Sequence, residues 1–260
     1  MFSALYFGLK PFNEVKIMIK FFRQIRYDLM EKNKNAKYFK YAIGEIVLVV
    51  IGILFALSIN NWNELRIQRQ KEIVNLLELK KGLESDLITE FIPGINHYDK
   101  RAKAANNLKE FKNNTETIPN DSLSKYFYIS ISGEWNFIFN VATFENLKSA
   151  GIDIISNDSI RTKISSLYSN EYPELIARGD RVLRYYENHV RPVLQDNFNL
   201  YDSILSKNDL ENWKDNIQIN NRIISLYRQR IGLLRMAKNI KPKVESLIND
   251  INEELERIDK

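Results

Sequence analysis

The sequence predicts an all-α protein in which a single N-terminal transmembrane helix continues into an extramembrane helical bundle. Two observations carry this prediction. A mostly apolar stretch occupies residues 41–60, and apolar residues recur at intervals of three and four over much of the chain that follows. The second pattern is clearest from Ile223 to Ile258, where Glu and Lys fill the intervening positions.

The apolar stretch has the length and composition of a membrane span. Its 20 residues would rise about 30 Å as a helix, which matches the hydrocarbon core of a bilayer. The Ile, Val, Leu and Phe side chains favour insertion by about 4 to 7 kcal/mol in total, whereas a central charge costs about 3 kcal/mol. Insertion is therefore favoured despite Glu45. A buried core helix is the alternative, but the stretch has no polar stripe that could face water.

Charge divides the chain around this span. Residues 1–40 carry nine Lys or Arg against three acids, which predicts a basic cytoplasmic or interfacial segment in contact with the lipid bilayer and no nucleic-acid partner. Residues 41–61 form the predicted transmembrane helix, with Tyr41 and Trp62 as interfacial anchors. Residues 62–260 form the predicted extramembrane domain. Six Lys or Arg precede the span within 20 residues and four follow it, which favours an N-terminus inside the cell.

The segment before the span has two parts. Residues 1–17 show no clear periodicity, and Met18 is a second candidate start, so the sequence leaves open whether residues 1–17 are translated. Residues 18–26 have the pattern of a short interfacial helix, with Phe21 and Phe22 on one face and basic residues on another.

Helices are expected along the rest of the chain. A first one leaves the span and ends at Pro93-Gly94, a second covers residues 96–111, and a helical hairpin with a loop near Gly133 covers residues 121–142. Strands are the alternative for that aromatic hairpin. Further helices are expected from Thr143 to Gly151, from a cap at Asn157 or Asp158, from Pro173 to Pro192, and over the last third of the chain.

One face of the predicted span combines an acid with small residues. At 100° per residue, Gly52 and Ala56 each lie about 20° from Glu45 around the helix. Membrane helices associate where small residues allow close approach and a polar group is satisfied across the contact. These three residues are therefore candidates for helix association. The alternative is that Glu45 reaches toward lipid headgroups and that Gly52 and Ala56 are incidental.

No catalytic, cofactor-binding or metal-binding motif is recognisable. His97 and His189 lack metal-ligand spacing and are interpreted as solvated surface residues, and no glycine-rich phosphate loop occurs. The basic residues Arg178, Arg181 and Arg184 recur at every third position and form a candidate partner face. An ordinary solvated face is the alternative, because acids are interleaved with them.

Two stretches resemble an uncharacterised family of single-span membrane proteins of flavobacteria and their relatives. The first runs from Met18-Ile19-Lys20-Phe21-Phe22-Arg23 through Gly44-Glu45-Ile46 to Asn60-Asn61-Trp62-Asn63-Glu64, and the second comprises Thr143, Leu147-Lys148-Ser149, Gly151, Ile155, Asn157 and Arg161. The resemblance implies a fold and a location in the bacterial inner membrane, but no activity.

The sequence therefore predicts a membrane-anchored, non-enzymatic helical protein without a cofactor. Its N-terminus would be cytoplasmic and its C-terminal domain periplasmic. A scaffold or sensor-like role is expected, with a second copy of the chain or another membrane or periplasmic protein as partner. A periplasmic enzyme with carboxylates dispersed over residues 121–200 is the alternative.

Overall fold

The computed structural model describes residues 35–113, 119–198 and 216–258, together with residues 20, 23–24, 27, 205–206, 209, 213 and 215. The predictions for residues 1–17 and for an amphipathic helix at residues 18–26 fall largely outside these residues.

The described residues are mostly helical and contain no strand, which confirms the all-α class. The α-helices are α1 (Asn35–Asp86), α2 (Ile92–Asn113), α3 (Asn120–Ile131), α4 (Ala142–Ala150), α5 (Asp158–Ser166), α6 (Tyr172–Tyr185), α7 (Arg191–Asn197) and α8 (Ile217–Ile258). Three π-helical turns join consecutive helices at Leu87–Phe91, Leu167–Glu171 and Tyr186–Val190, and a 3-10 turn covers Ile152–Ile154.

Two compact units divide the chain between Ile67 and Gln68. In the first unit, the described part of α1 presents its apolar side chains to the surroundings, with exposed fractions near one half or above, such as 63% for Ile46 and 67% for Phe55. In the second unit, α3 packs on α2, and α8 packs along α2, α5 and α6. One buried cluster fills the interior of that unit.

The inner face of α1 in the second unit shows why this sequence forms a bundle. Leu76, Leu79 and Leu83 recur at three and four residues and are at most 1% exposed. They join the same cluster as Leu233, Val244 and other apolar residues of α8. The long periodic pattern at the C-terminus is thereby confirmed as one helix that contributes to the core.

Prolines do not end the helices, contrary to expectation at Pro93-Gly94. Each of the three π-helical turns ends two residues before a proline, namely Pro93, Pro173 or Pro192. A proline lacks the N–H that would bond the carbonyl four residues earlier, and its ring collides with that carbonyl. A widened turn makes room for the ring, so the helix continues past the proline.

Residues 132–141 form no helix, which corrects half of the predicted hairpin. Helix α3 and the loop near Gly133 are present, but the aromatic run after Gly133 forms no helix. Phe137 and Phe139 are buried at 3% and 6% exposure, and Ile138 between them is 69% exposed. The segment therefore has the alternating burial of a strand without a neighbouring strand. We call residues 132–141 the strap.

The shorter helical predictions after the strap are confirmed. Helix α4 is followed by Gly151, whose φ of 99° suits glycine at a helix C-terminus. The Asn157 side chain caps α5 by accepting hydrogen bonds from the backbone N–H groups of Ser159 and Ile160, at 3.1 and 3.3 Å.

Candidate functional site

The residues predicted for helix association lie on α1 in the first unit. Glu45 is half-exposed, and Gly52 and Ala56 are exposed. A Cβ at Gly52 would meet no other side chain within 4 Å. The face is therefore open at Gly52 and Ala56, and its association with another helix stays a prediction.

The two predicted interfacial anchors differ in what the structure describes. The backbone of Tyr41 is helical, but its side chain lies outside the described part of the chain. Trp62 is 62% exposed, and the Arg66 guanidinium lies over its ring, 5.8 Å from the centroid. A tryptophan with an adjacent arginine suits the headgroup region of a membrane.

The strap follows a stripe of residues spaced by four along α1 and α2. Glu90 Oε2 accepts a hydrogen bond from the backbone N–H of Ile138 at 3.0 Å, and Asp86 Oδ1 accepts one from that of Asn140 at 2.8 Å. Further along, the Tyr98 hydroxyl donates to the carbonyl of Trp135 at 3.0 Å. These side chains therefore satisfy backbone groups that a neighbouring strand would pair in a sheet.

Two glycines, Gly82 and Gly94, belong to the same stripe. At both positions neighbouring side chains lie close to the helix backbone. A Cβ on Gly94 would come within 2.7 Å of the Phe137 ring. A Cβ on Gly82 would lie 3.5 Å from the Asn140 side chain of the strap and 3.1 Å from Thr143 Oγ1 at the start of α4. Gly82 and Gly94 thus allow close approach, whereas Asp86, Glu90 and Tyr98 form hydrogen bonds with the strap. We call these five residues the strap stripe.

Asp86 is a buried carboxyl group of the strap stripe with a raised pKa. It is 1% exposed, and its second oxygen accepts a hydrogen bond from the Tyr172 hydroxyl at 3.1 Å. Burial raises the pKa of Asp86 from 3.8 to about 6, although the two hydrogen bonds oppose that shift. Phe139 stacks on Tyr172 with ring centroids 3.8 Å apart, and burial raises the pKa of that tyrosine strongly.

A buried ion pair holds the start of the strap. Arg230 of α8 is 4% exposed and its Nε lies 3.0 Å from Glu134 Oε1. The same guanidinium donates to the carbonyls of Ser130 and Ser132. Arg101 of α2 donates to the carbonyls of Ser132 and Gly133, both at 3.1 Å, so two arginines cap the end of α3. Burial and the nearby charge of Arg230 lower the pKa of Arg101 to about 10.

His97 belongs to this buried network, which corrects its interpretation as a solvated residue. It is half-buried, and its ring lies beside Tyr98 and Trp135 at centroid distances of 5.1 and 5.9 Å. Burial and the Arg101 charge lower the pKa of His97 to about 4, so the ring is neutral at pH 7. Its Nε2, 3.1 Å from the Gly133 carbonyl, must then carry the proton to donate. His189 is exposed, as expected.

Two buried glutamates hold the turn before α5. Glu72 of α1 accepts from the backbone N–H and the hydroxyl of Ser156, both at 2.7 Å. Glu254 of α8 accepts from the Asn157 side chain at 3.0 Å, and its hydrogen bonds with Arg257 lower its pKa. Because each carboxylate has a specific donor, the charges are compensated inside the fold. The turn is therefore fastened to both long helices.

The three predicted partner arginines do not form a uniform surface. Arg181 and Arg184 are exposed, but Arg178 is half-buried. Its guanidinium crosses Gly232 of α8 so closely that a Cβ there would lie within 3.1 Å of Cζ. Arg178 thus packs against α8 as well as facing solvent, which sequence spacing alone does not reveal.

Open grooves on the described surface run between helices. One, of about 420 Å³, is lined by Lys163, Glu171, Lys243 and neighbours, and an adjacent one of about 370 Å³ includes Arg178, Arg235 and Lys243. Lys243 pairs with Glu171 at 3.0 Å. Neither groove contains Asp86 or His97. Among the residues that the structure describes, no group of three or more His, Asp or Glu side chains is placed to hold a metal ion.

Sequence reasoning singled out none of the four residues Asp86, Glu90, Glu134 and Arg230. A signal was present in the repeat of glycine and acid at intervals of four in the strap stripe. That spacing places the five residues on one side of a helix, where a close neighbour can lie. The Glu134–Arg230 pair carries no such signal, since 96 residues separate its members.

The fold defines a class of protein: it is helical, and within the described part of the chain one helix is long and apolar enough to cross a bilayer. That helix, continuous from Ala42 to Glu110 across one π-helical turn, has an 18-residue window of mean hydropathy 2.7, none of it buried. The model of the family of unknown function DUF6090 matches residues 45–224. The chain belongs to this family. No curated protein and no solved structure matches it.

Proposed function

We propose that this protein is a single-pass protein of the bacterial inner membrane that binds another protein, or its own copy, in a scaffold or sensor-like role. Its N-terminus is cytoplasmic, and residues 62–260 form a periplasmic domain. The observation that carries the proposal is the apolar part of α1, whose side chains are exposed along the whole hydropathic window. Exposed apolar side chains along a helix of this length need lipid around them.

The second unit supports an interaction role over catalysis. Its most perturbed carboxyl group, Asp86, is 1% exposed and accepts two hydrogen bonds from the fold itself. The Glu134–Arg230 pair is likewise enclosed. Both groups hold the strap and face no groove described above. They act as parts of a rigid scaffold, which leaves surfaces to provide the function.

Protease access tests the topology. Protease added to intact spheroplasts is expected to digest residues 62–260 and to spare residues 1–40, each followed with a terminal epitope. A control digestion after lysis should remove both epitopes. Protection of the C-terminal epitope in intact spheroplasts, with its loss after lysis, would reverse the orientation.

Self-association through the span is tested separately. Gly52→Leu adds bulk to the face that Gly52 shares with Glu45 and Ala56. Gly44 lies about 80° from Gly52 around the helix, so Gly44→Leu is the matched control. Gly52→Leu should reduce cross-linked dimers in native membranes severalfold, and Gly44→Leu should not. Equal dimer yields for both variants would contradict association through this face.

A further inference from the structure

The groove of about 370 Å³ between α6 and α8 contains more positive than negative side chains. Residues of α8 at intervals of three and four share one side of that helix and line the groove, among them Gly232, Arg235, Asn239 and Lys243. Its other charged lining residues are Glu171, Glu174 and Arg178. Three cations therefore share the groove with two carboxylates, which favours an anion as the occupant.

Ion pairing leaves two arginines of this groove without a carboxylate. Lys243 Nζ lies 3.0 Å from Glu171 Oε2, so these two charges compensate each other. Within the part of the chain that the structure describes, neither Arg178 nor Arg235 forms an ion pair or a hydrogen bond. Glu174 lies four residues before Arg178, which is the spacing of a common helical ion pair, yet the two side chains do not pair. The Arg178 side chain is directed at α8 instead.

Gly232 makes room for the Arg178 guanidinium on the wall of the groove. A Cβ on Gly232 would lie 3.1 Å from Arg178 Cζ and 3.3 Å from its Nε, which is too close without a displacement of that group. Arg178 is half-buried, whereas Arg235 is exposed and follows Gly232 by three residues on the same side of α8. One guanidinium is therefore held against the helix backbone, and a second one extends from the adjacent turn.

We propose that Arg178 and Arg235 bind a phosphate group in this groove. A guanidinium donates parallel N–H groups to phosphate oxygens, and one phosphate has enough oxygens to accept from two guanidinium groups at once. Because neither arginine has a carboxylate partner, no ion pair must break before the anion binds. The volume lies at the lower end of the range for small-molecule sites, so the phosphate group belongs to free phosphate or to a small phosphate ester.

This site goes beyond the proposed function and does not depend on it, since all of its residues lie in the second unit. A chain that sediments with membranes but binds no phosphate would leave the membrane role intact and remove the site. A chain that binds phosphate but is absent from membranes would do the reverse.

Calorimetric titration of the full-length chain in detergent micelles with inorganic phosphate, at constant ionic strength, tests the site. The natural chain should bind phosphate saturably, and Arg178→Gln and Arg235→Gln should each weaken binding by about fivefold or more. Arg181→Gln removes the same charge from an exposed position of α6 that does not line the groove, and it should leave the affinity nearly unchanged. Equal weakening by Arg178→Gln and Arg181→Gln, or no saturable binding by the natural chain, would overturn the proposal.

Two further variants separate the geometry of the site from its charge. Gly232→Ala keeps every charge and suits a helix, but its methyl group displaces the Arg178 guanidinium and should weaken phosphate binding severalfold. Glu174→Gln removes a carboxylate that repels an anion and should strengthen binding severalfold. Unchanged binding in Gly232→Ala, or weaker binding in Glu174→Gln, would contradict an arginine-held phosphate.

Titrations with glycerol 3-phosphate and succinate identify the chemical source of the anion. Tighter binding of glycerol 3-phosphate than of inorganic phosphate, lost in Arg178→Gln, assigns the groove to a phosphate ester. The opposite order assigns it to free phosphate, and both results support the site. Succinate that binds as tightly as inorganic phosphate would overturn the assignment, because two carboxylates would then serve as well as a phosphate group.

Discussion

Asp86 links the strap to the core through a carboxyl group that burial disfavours as a charge. With a pKa of 3.8 when unfolded and about 6 when folded, the folded state keeps a proton that the unfolded state loses between these values. Stability from this group is therefore fully present below pH 4 and is lost as pH rises through 6. The loss is about 3 kcal/mol at about 1.4 kcal/mol per pKa unit.

Asp86→Asn removes this titration while keeping an oxygen that accepts from Asn140. The free energy of unfolding of the natural chain relative to Asp86→Asn should therefore fall by about 3 kcal/mol between pH 4 and pH 7.5. Unfolding in detergent micelles, followed by circular dichroism, measures the free energy of unfolding of the natural chain and of the variant. Asp153→Asn changes an exposed acid and serves as the control. Parallel stability curves for Asp86→Asn and the natural chain would contradict a buried, proton-linked Asp86.

Alanine substitutions at two glycines on different helices are expected to change stability in opposite directions. Gly94→Ala places a methyl group within 2.7 Å of the Phe137 ring, which is buried and cannot move aside. Overpacking of this kind costs about 1 to 3 kcal/mol. Gly179→Ala meets nothing within 4 Å and gains helix propensity of about 1 kcal/mol. The melting temperature should fall for the first and rise for the second; a rise for both would show that the strap does not press on α2.

The strap is the element whose conformation the sequence did not reveal. Its aromatic residues fit a short buried helix and a strand equally well. What decides between them is distant in the chain: Glu90 and Asp86 pair with backbone N–H groups 48 and 54 residues away. Local periodicity contains no information about such partners, whereas the caps of α4 and α5 and the long apolar repeat of α8 are local and were predictable.

The period-two burial of the strap has a measurable consequence. Phe139→Ala removes a ring that is stacked on Tyr172 and should destabilise the protein by about 3 to 5 kcal/mol. Ile138→Ala, at the adjacent exposed position, should change stability by less than about 0.5 kcal/mol. Denaturant unfolding in detergent compares the two. Similar losses at both positions would indicate a helical or fully buried segment in place of the strap.

Helices in this protein continue past prolines that act as stop signals in the sequence. Pro93-Gly94 is a strong stop signal, yet the helix passes it because the turn at Leu87–Phe91 widens. The same arrangement recurs before Pro173 and Pro192. Since the chain stays helical through each proline, long helical segments build the second unit. The helix ends predicted at Pro93 and Pro192 were wrong.

At the scale of the whole molecule, apolar surface is distributed in two ways. In the second unit the apolar residues of the long helices are mostly enclosed, and buried charges are paired. In the first unit the apolar side chains of α1 are exposed along the full length of a bilayer core. Water would penalise the second arrangement heavily, whereas lipid would not.

Membrane extraction is the most direct test of this account. Membranes from cells that make the full-length chain are washed with alkaline carbonate and sedimented, and the chain is then located by an epitope at its C-terminus. The account predicts that the chain stays in the pellet until detergent is added. Recovery of folded chain in the supernatant without detergent would contradict it.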